Sequence, residues 1–242
     1  MKTRLDRLLV ERGLFDSGEK ARRAIMAGVV RVDGDAAAKP GKAVDPGCAI
    51  AVSAPQRFVG RGGEKLAAAL ERFDVVVAGR ECLDVGASTG GFTDCLLQAG
   101  AAAVAAVDVG RGQLAARLRA DPRVTVMDRV NARTLAREAL PHEAGLVTVD
   151  LSFISLDKVV PVLARIMPRG AEMLALVKPQ FEAGRAEVRR GGVVRDSRVH
   201  TRLIWRACVM AEESGLEVRG IMESPLLGPA GNKEFFMYAR KP

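Results

Sequence analysis

The spacing of apolar positions changes near residue 57, and the change divides the chain into two parts. Before it, residues 3–12 and 16–28 show helical spacing, and residues 29–34 alternate as a strand that ends in an Asp-Gly turn. Two short helices and a small sheet predict a compact α+β domain over residues 1–57. The adjoining segment 58–63, which is rich in glycine, is predicted to be a linker.

From residue 64 to 242, apolar runs typical of buried strands alternate with amphipathic helical patterns. This order predicts a Rossmann-like α/β domain, in which a mainly parallel sheet carries helices on both faces. A further helix is expected just after the linker, from about 64 to 73. The predicted strands are 81–86, 103–108, 123–127, 145–150, 171–177, 216–223 and 234–240, and the predicted helices are 90–99, 112–119, 132–139, 154–166 and 197–213.

Composition and charge narrow the kinds of partner. The chain is 48% hydrophobic and 27% charged, which is typical of a folded protein with a substantial core. Its formal net charge of +8 indicates a polyanionic partner such as RNA, DNA or an acidic membrane face. Because only 4% of the residues are aromatic, we expect the contact to depend on charge and shape more than on base stacking.

Several classes of site and location are disfavoured. The four cysteines are scattered without a C-x-x-C pair, so no metal site is predicted. The first residues carry charges rather than the apolar core of a leader peptide. No stretch approaches the ~18 uninterrupted apolar residues that a spanning helix needs. We therefore expect a cytoplasmic protein with no membrane partner.

A glycine-rich loop follows the first strand of the second part and indicates the cofactor. Its spacing departs from the dinucleotide pattern, because Ser88 takes the place of the middle glycine, and from the Walker pattern, because Phe92 takes the place of the lysine. A loop shaped for an adenosine cofactor without phosphates remains, and S-adenosylmethionine is the candidate. The cofactor-binding residues predicted here are Asp84, Gly86, Ala87, Ser88, Gly90, Gly91 and Phe92.

Acidic residues near the ends of successive strands extend this cofactor site. Ligands of such sheets bind at the carboxyl ends of the strands. Asp108 would accept hydrogen bonds from the ribose hydroxyls, and Asp128 would accept one from the adenine amino group. Asp150 and Lys178 follow the fourth and fifth strands, which would place both beside the methyl group of the cofactor. A charged residue directly after a buried strand is costly unless it is paired or functional.

The second part contains the motifs Arg61-Gly62-Gly63-Glu64-Lys65-Leu66, Asp150-Leu151-Ser152-Phe153-Ile154-Ser155-Leu156, Lys178-Pro179-Gln180-Phe181-Glu182 and Gly231-Asn232-Lys233-Glu234-Phe235. Together these four motifs resemble the TlyA family of ribosomal RNA 2′-O-methyltransferases, whose catalytic domain is similar to FtsJ. The resemblance covers essentially the full chain and implies a seven-stranded methyltransferase sheet. It departs at Gly60, where relatives often carry serine, and at Glu64, an added acid.

The resemblance also implies the chemistry. The catalytic set of the family falls on Lys65, Asp150, Lys178 and Glu234. Lys178 would be the base that removes the proton of a ribose 2′-hydroxyl, and the two carboxylates would orient the ammonium groups. The implied reaction is methyl transfer from S-adenosylmethionine to a cytidine of ribosomal RNA in the small subunit, the large subunit or both.

A pattern in the first part runs through Arg4-Leu5-Asp6, Ser17-x-x-Lys20-Ala21, Ile25-x-x-Gly28-x-Val30-x-Val32-x-Gly34 and Lys39-Pro40-Gly41. This pattern resembles the S4-type RNA-binding domain. It implies that the second helix and the turn after it face an RNA backbone. The candidate RNA-binding residues of the whole chain are Arg4, Arg12, Lys20, Arg22, Arg23, Arg31, Arg61, Arg189 and Arg190.

Other functions remain open at this point. The family has been associated with haemolysis, so a membrane-active protein is one alternative, although no spanning segment is predicted. A non-enzymatic ribosome-binding factor with a relic cofactor pocket is another. Hydrolase chemistry is disfavoured, because the chain has two histidines and no G-x-S-x-G motif. A base or protein methyltransferase would usually lack the second lysine and the glutamate.

Overall fold

The computed structural model describes residues 2–37, 39–53, 57–184, 187–188 and 191–242. The chain divides into two compact units, Met1–Arg57 and Phe58–Pro242. The described part of the first unit contains helices α1 (Leu5–Glu11) and α2 (Gly18–Met26) and strands β1 (Thr3–Arg4), β2 (Val30–Val32), β3 (Asp35–Ala36), β4 (Ala43–Val44) and β5 (Ile50–Val52).

In the first unit, β2 is the centre of an antiparallel sheet in the order β3-β2-β5, and β1 pairs with β4. The first helix is shorter than the predicted 3–12, because Thr3 and Arg4 pair with β4 instead. Ser17 is the N-cap of α2, and its hydroxyl accepts a hydrogen bond from the Lys20 amide at 3.3 Å. Apolar side chains of α1, α2 and β2 form the core beneath this sheet.

The second unit holds the larger sheet. Its described helices are α3 (Arg61–Arg72), α4 (Gly91–Gln98), α5 (Ala116–Arg119), α6 (Val160–Ile166), α7 (Pro179–Glu182) and α8 (Ser197–Glu213). Its strands are β6 (Glu81–Val85), β7 (Ala103–Asp108), β8 (Val124–Asp128), β9 (Leu146–Val149), β10 (Glu172–Val177), β11 (Glu217–Glu223) and β12 (Phe235–Arg240). Short 3₁₀ turns occur at Ala132–Thr134, Arg137–Ala139 and Leu156–Lys158.

These seven strands form one sheet in the order β11-β12-β10-β9-β6-β7-β8. β12 is antiparallel to both of its neighbours, β11 and β10, and the other adjacent pairs of strands are parallel. Successive residues of each strand face opposite sides, so Leu83 and Val85 pack in the layer that contains α6, whereas Cys82 packs in the layer of α3 and α4. The predicted α/β fold, with a seven-stranded, mainly parallel sheet and a small N-terminal α+β unit, is confirmed.

Four local predictions were wrong, and one is the helix expected at 154–166, where a 3₁₀ turn at Leu156–Lys158 precedes the shorter helix α6. The helix expected at 112–119 is reduced to α5, because Gly112 has a positive φ of 67°. The helix expected at 132–139 is two 3₁₀ turns, separated where Leu135 becomes extended. The segment 58–63 is no simple linker, since Phe58 is buried and α3 already begins at Arg61.

Candidate active site

The sheet topology brings together four charged side chains that are far apart in sequence. Asp150 follows β9 and Lys178 follows the adjacent parallel strand β10. Because β12 is antiparallel, with Phe235 opposite Val177, Glu234 lies at the same edge of the sheet. Lys65 reaches this edge from α3. All four residues line one cavity of about 570 Å³.

Within this cavity the four charges form two ion pairs. Lys65 Nζ lies 2.6 Å from Glu234 Oε2, and their side chains are only 7% and 1% exposed. Lys178 Nζ lies 2.5 Å from Asp150 Oδ1 and also donates a hydrogen bond to Ser152 Oγ at 3.2 Å. Each ammonium group is thus held by its own carboxylate. Removing two charges from water is costly, so these pairs indicate a functional arrangement more than a stabilising one.

The glycine-rich loop after β6 forms another wall of the same cavity. Gly86 has a φ of 91°, and a Cβ there would lie 2.4 Å from the carbonyl oxygen of Asp150. Gly91 would place a Cβ 3.1 Å from the backbone nitrogen of Gly63, so the N-termini of α4 and α3 approach closely. Of the predicted cofactor-binding residues, six line this cavity: Gly86, Ala87, Ser88, Gly91, Phe92 and Asp150.

Gly90 is not among the lining residues, and its role is to turn the chain. It adopts a φ of 98° at the start of α4, a conformation that glycine tolerates best. A Cβ at this position would lie 2.3 Å from Leu118 Cδ1. Gly90 therefore allows the loop to close against α5.

A second cavity of about 340 Å³ continues from the first and shares Gly86, Ser88 and Asp150 with it. Asp108 lines this second cavity at the end of β7. Its carboxylate accepts hydrogen bonds from the Ser88 amide at 2.8 Å and from the Gly110 amide at 2.7 Å. Apolar side chains complete the lining and include Val109, Val130, Ala132 and Leu151.

Asp84, predicted to bind the cofactor, lines neither cavity. It lies inside β6 on the face toward α4, is completely buried, and accepts hydrogen bonds from Thr93 at 2.6 Å and Thr148 at 3.2 Å. Burial raises the pKa of its carboxyl to about 7, despite these two hydrogen bonds. Asp84 therefore lies beneath the loop, and its contact with the cofactor stays a prediction.

Asp128 does not line either cavity, although it ends β8 as expected. Its carboxylate accepts hydrogen bonds from the Gly112 amide at 3.0 Å and from Arg119 at 3.2 Å. These contacts, the Gly112 amide first, lower the pKa of the carboxyl. The residues after β8 that line the second cavity are Val130 and Ala132, and the adenine contact of Asp128 stays a prediction.

Several lining residues were not predicted as site residues. Phe153 has a positive φ of 65° and is 90% exposed, and the centroid of its ring lies 5.1 Å from that of Phe181. Asn232 is almost completely buried, with Oδ1 accepting from the Val194 amide and Nδ2 donating to the Gly192 carbonyl. Gln180 also lines the cavity. Phe153, Gln180, Phe181 and Asn232 all line the cavity and belong to the sequence motifs named above. The motifs alone do not distinguish these residues from neighbours whose side chains point away from the cavity.

The candidate RNA-binding residues differ in how freely their charges face solvent. Those that are exposed in the first unit are Arg4, Arg12, Lys20, Arg22, Arg23 and Arg31. Arg12 is committed to the carbonyl oxygens of Pro46 and Cys48, and Arg31 donates to that of Gly34. In the second unit, Arg61 lines the larger cavity. Arg189 and Arg190 lie outside the described residues.

No helix within the described ranges is both long and apolar enough to cross a membrane. In the same part of the chain, no three histidine, cysteine, aspartate or glutamate side chains come together as a metal site would require.

Comparison with known proteins agrees with this geometry. The family model of FtsJ-like methyltransferases matches residues 58–241, and that of the S4 domain matches residues 3–49. The 16S/23S rRNA (cytidine-2′-O)-methyltransferase TlyA of Mycobacterium tuberculosis is 49% identical over 99% of this chain and 90% of its own length.

Solved structures show the same relationship. A structure named as a hemolysin from Streptococcus thermophilus has a TM-score of 0.77 and 41% identity, and it covers 99% of this chain and 88% of its own. An S-adenosylmethionine-dependent methyltransferase structure from Listeria monocytogenes, at 16% identity, has a TM-score of 0.56 over 76% of this chain and all of its own, and shares the fold. The chain therefore belongs to the TlyA family of FtsJ-like methyltransferases and carries an S4 domain ahead of the catalytic one.

Proposed function

We propose that this protein transfers a methyl group from S-adenosylmethionine to the 2′-hydroxyl of a cytidine in ribosomal RNA. The observation that carries the proposal is the cavity in which two lysine–carboxylate pairs face the glycine-rich loop. The choice of a cytidine in ribosomal RNA follows the activity in the name of the Mycobacterium tuberculosis relative.

The two joined cavities fit an adenosine cofactor. Backbone of the loop from Gly86 to Phe92 would hold its methionine part, because the absence of a Cβ at Gly86 lets this loop approach the Asp150 backbone and line the cavity. Asp108 would accept hydrogen bonds from the ribose hydroxyls, since each carboxylate oxygen can accept a second bond beyond those from the Ser88 and Gly110 amides. When bound, S-adenosylmethionine supplies a methyl group that is already activated.

The remaining task belongs to the side chains of this chain. A ribose hydroxyl is a weak nucleophile, so it must be aligned and relieved of its proton. We assign proton removal to Lys178, and Asp150, whose Oδ1 lies 2.5 Å from Lys178 Nζ, stabilises the ammonium that results. Lys65, fixed by Glu234, provides a stationary positive charge beside the same cavity.

The first unit would hold the RNA. Exposed basic residues of α2 (Lys20, Arg22 and Arg23) suit phosphate contacts, which position a nucleic acid without reading its sequence. Arg61 would meet the target strand at the larger cavity. A lytic protein would have no use for two largely buried lysine–carboxylate pairs beside a glycine-rich loop, whereas methyl transfer uses both.

Transfer of tritiated methyl from S-adenosylmethionine to 30S, 50S and 70S particles and to free rRNA tests the proposal. We expect incorporation by the wild type and by Lys158→Met, which changes an exposed lysine outside the cavity. Lys178→Met is expected to bind the cofactor but to lose transfer. Cofactor binding by the wild type without incorporation into any particle would instead favour a non-enzymatic ribosome-binding factor.

A further inference from the structure

The loop that follows β9, residues 151–155, lies beside the segment that begins at Lys178 and continues as α7. We call it the β9 loop. Side chains join the two segments at successive positions along both, in the pairs Ser152 with Lys178, Phe153 with Phe181, and Ser155 with Glu182. The position of the β9 loop is therefore tied to the segment that carries the candidate base.

Glu182 makes the polar contacts at the far end of this loop. Its Oε2 accepts a hydrogen bond from the Ser155 hydroxyl, and its Oε1 accepts one from the Leu156 amide at 2.8 Å. Burial raises the pKa of this half-buried carboxyl, and the two hydrogen bonds oppose that rise. Among the described residues, no main-chain hydrogen bond joins residues 151–154 to another segment. Glu182 thus supplies the hydrogen bonds that fasten the end of the β9 loop.

Ser152 connects the β9 loop to the chemistry of the cavity. Its hydroxyl accepts a hydrogen bond from Lys178 Nζ at 3.2 Å, beside the ion pair between Lys178 and Asp150. When Lys178 takes up a proton it becomes an ammonium, and a charged donor makes a stronger hydrogen bond than a neutral one. The contact with Ser152 therefore stabilises the state that forms during proton removal more than the state before it.

We propose that Glu182 is a positioning residue for methyl transfer, which holds the end of the β9 loop and thereby keeps Ser152 in contact with Lys178. The inference rests on the proposed function, and it gives Glu182 no contact with substrate and no part in proton transfer. An amide can perform this role without a charge. In Glu182→Gln the side-chain oxygen can accept from the Leu156 amide, while the amino group donates to the Ser155 hydroxyl.

The role is tested by rates of 2′-O-methylation on ribosomal particles that accept methyl from the wild type. Glu182→Met is expected to lower kcat about 10- to 150-fold, the range for one hydrogen bond to a charged group, with unchanged KM for the particles and for S-adenosylmethionine. Glu182→Gln should recover most of that loss. Glu213→Met, which changes an exposed carboxylate of α8, is the matched control and should equal the wild type.

A double-mutant cycle tests the route through Ser152. Ser152→Ala removes the hydroxyl that accepts from Lys178, so adding Glu182→Met to it should lower kcat no further. If the two losses multiply instead, Glu182 does not act through Ser152 and the inference is overturned. It is also overturned if Glu182→Met keeps the wild-type kcat, or if folded Glu182→Gln is as slow as Glu182→Met.

Thermal melting and calorimetric affinity for S-adenosylmethionine show whether each variant is folded. If Glu182→Met does not fold, Ser155→Ala removes one of the two hydrogen bonds alone. It should lower kcat in the wild-type background and leave it unchanged in Ser152→Ala, and a wild-type kcat for Ser155→Ala would overturn the inference. If the wild type makes no 2′-O-methylated nucleoside, the proposed function fails and the positioning role fails with it.

Discussion

The buried carboxyl of Asp84 makes a prediction about stability that can be worked out from the structure. Asp84 is completely buried beneath the cofactor loop, and its pKa is raised from 3.8 to about 7, mainly by burial. In Asp84→Asn an amide of the same shape replaces the carboxyl, so the change removes the titration while keeping most contacts with Thr93 and Thr148.

The direction and size of the effect follow from linkage. Between pH 4 and pH 7 the folded protein keeps a proton on Asp84 that the unfolded chain has already released. The contribution of this proton to stability is complete below about pH 4 and is lost as the pH rises toward 7. The pKa of Asp84 differs by about 3 between the unfolded and the folded chain, which corresponds to at most about 4 kcal/mol in the free energy of unfolding.

Urea unfolding of both proteins between pH 4 and pH 8 measures this contribution, since the other titrating groups cancel in the difference. Circular dichroism and the fluorescence of Trp205, which lies in the second unit, report the transition. We expect the wild type to lose up to about 4 kcal/mol relative to Asp84→Asn as the pH rises. Asp121→Asn is the matched control, because the hydrogen bond from Arg123 holds the pKa of Asp121 low, at about 2. The difference in unfolding free energy between wild type and Asp121→Asn should therefore not fall as the pH rises toward 7. A constant difference between wild type and Asp84→Asn across this pH range would refute the reasoning.

Three further perturbations test other parts of the site. Gly86→Ala would drive a Cβ to 2.4 Å from the Asp150 carbonyl, so calorimetry should show loss of S-adenosylmethionine binding, and unchanged affinity would contradict the assigned loop. Glu234→Gln leaves the Lys65 ammonium buried without its counter-charge and should cost about 3–5 kcal/mol of unfolding free energy in urea, whereas a loss below about 1 kcal/mol would contradict the pairing. Arg22→Ala should reduce the slope of the logarithm of the RNA-binding constant against the logarithm of salt concentration by about 0.9, measured by filter binding. An unchanged slope would show that Arg22 makes no phosphate contact.

The strands could be predicted from the sequence because long apolar runs have few alternatives in an α/β domain. Each of the seven predicted strands appears with ends within one residue, for example 171–177 against Glu172–Val177 and 103–108 against Ala103–Asp108. The helix predicted at 132–139 is replaced by two 3₁₀ turns, because the apolar spacing of a short amphipathic stretch is compatible with a helix and with turns. Tertiary contacts decide such cases, and a sequence does not display them.

The site was predictable where topology fixes a side chain and unpredictable where its direction matters. Asp150 and Lys178 follow neighbouring parallel strands, so their meeting is a consequence of the fold. The contact between Lys65 and Glu234 spans 169 positions and depends on the reversed strand β12, so only the family resemblance pointed to it. Asp84 could not be placed in advance, because a carboxylate inside a strand can face either layer.

Nucleoside mass spectrometry of ribosomal RNA, after treatment of ribosomal particles with enzyme and S-adenosylmethionine, tests the central claim most directly. Wild type and Lys178→Met are compared on the same particles. The account predicts 2′-O-methylcytidine in the wild-type sample and none above background with Lys178→Met. A base-methylated nucleoside, or equal amounts of 2′-O-methylcytidine from both proteins, would contradict it.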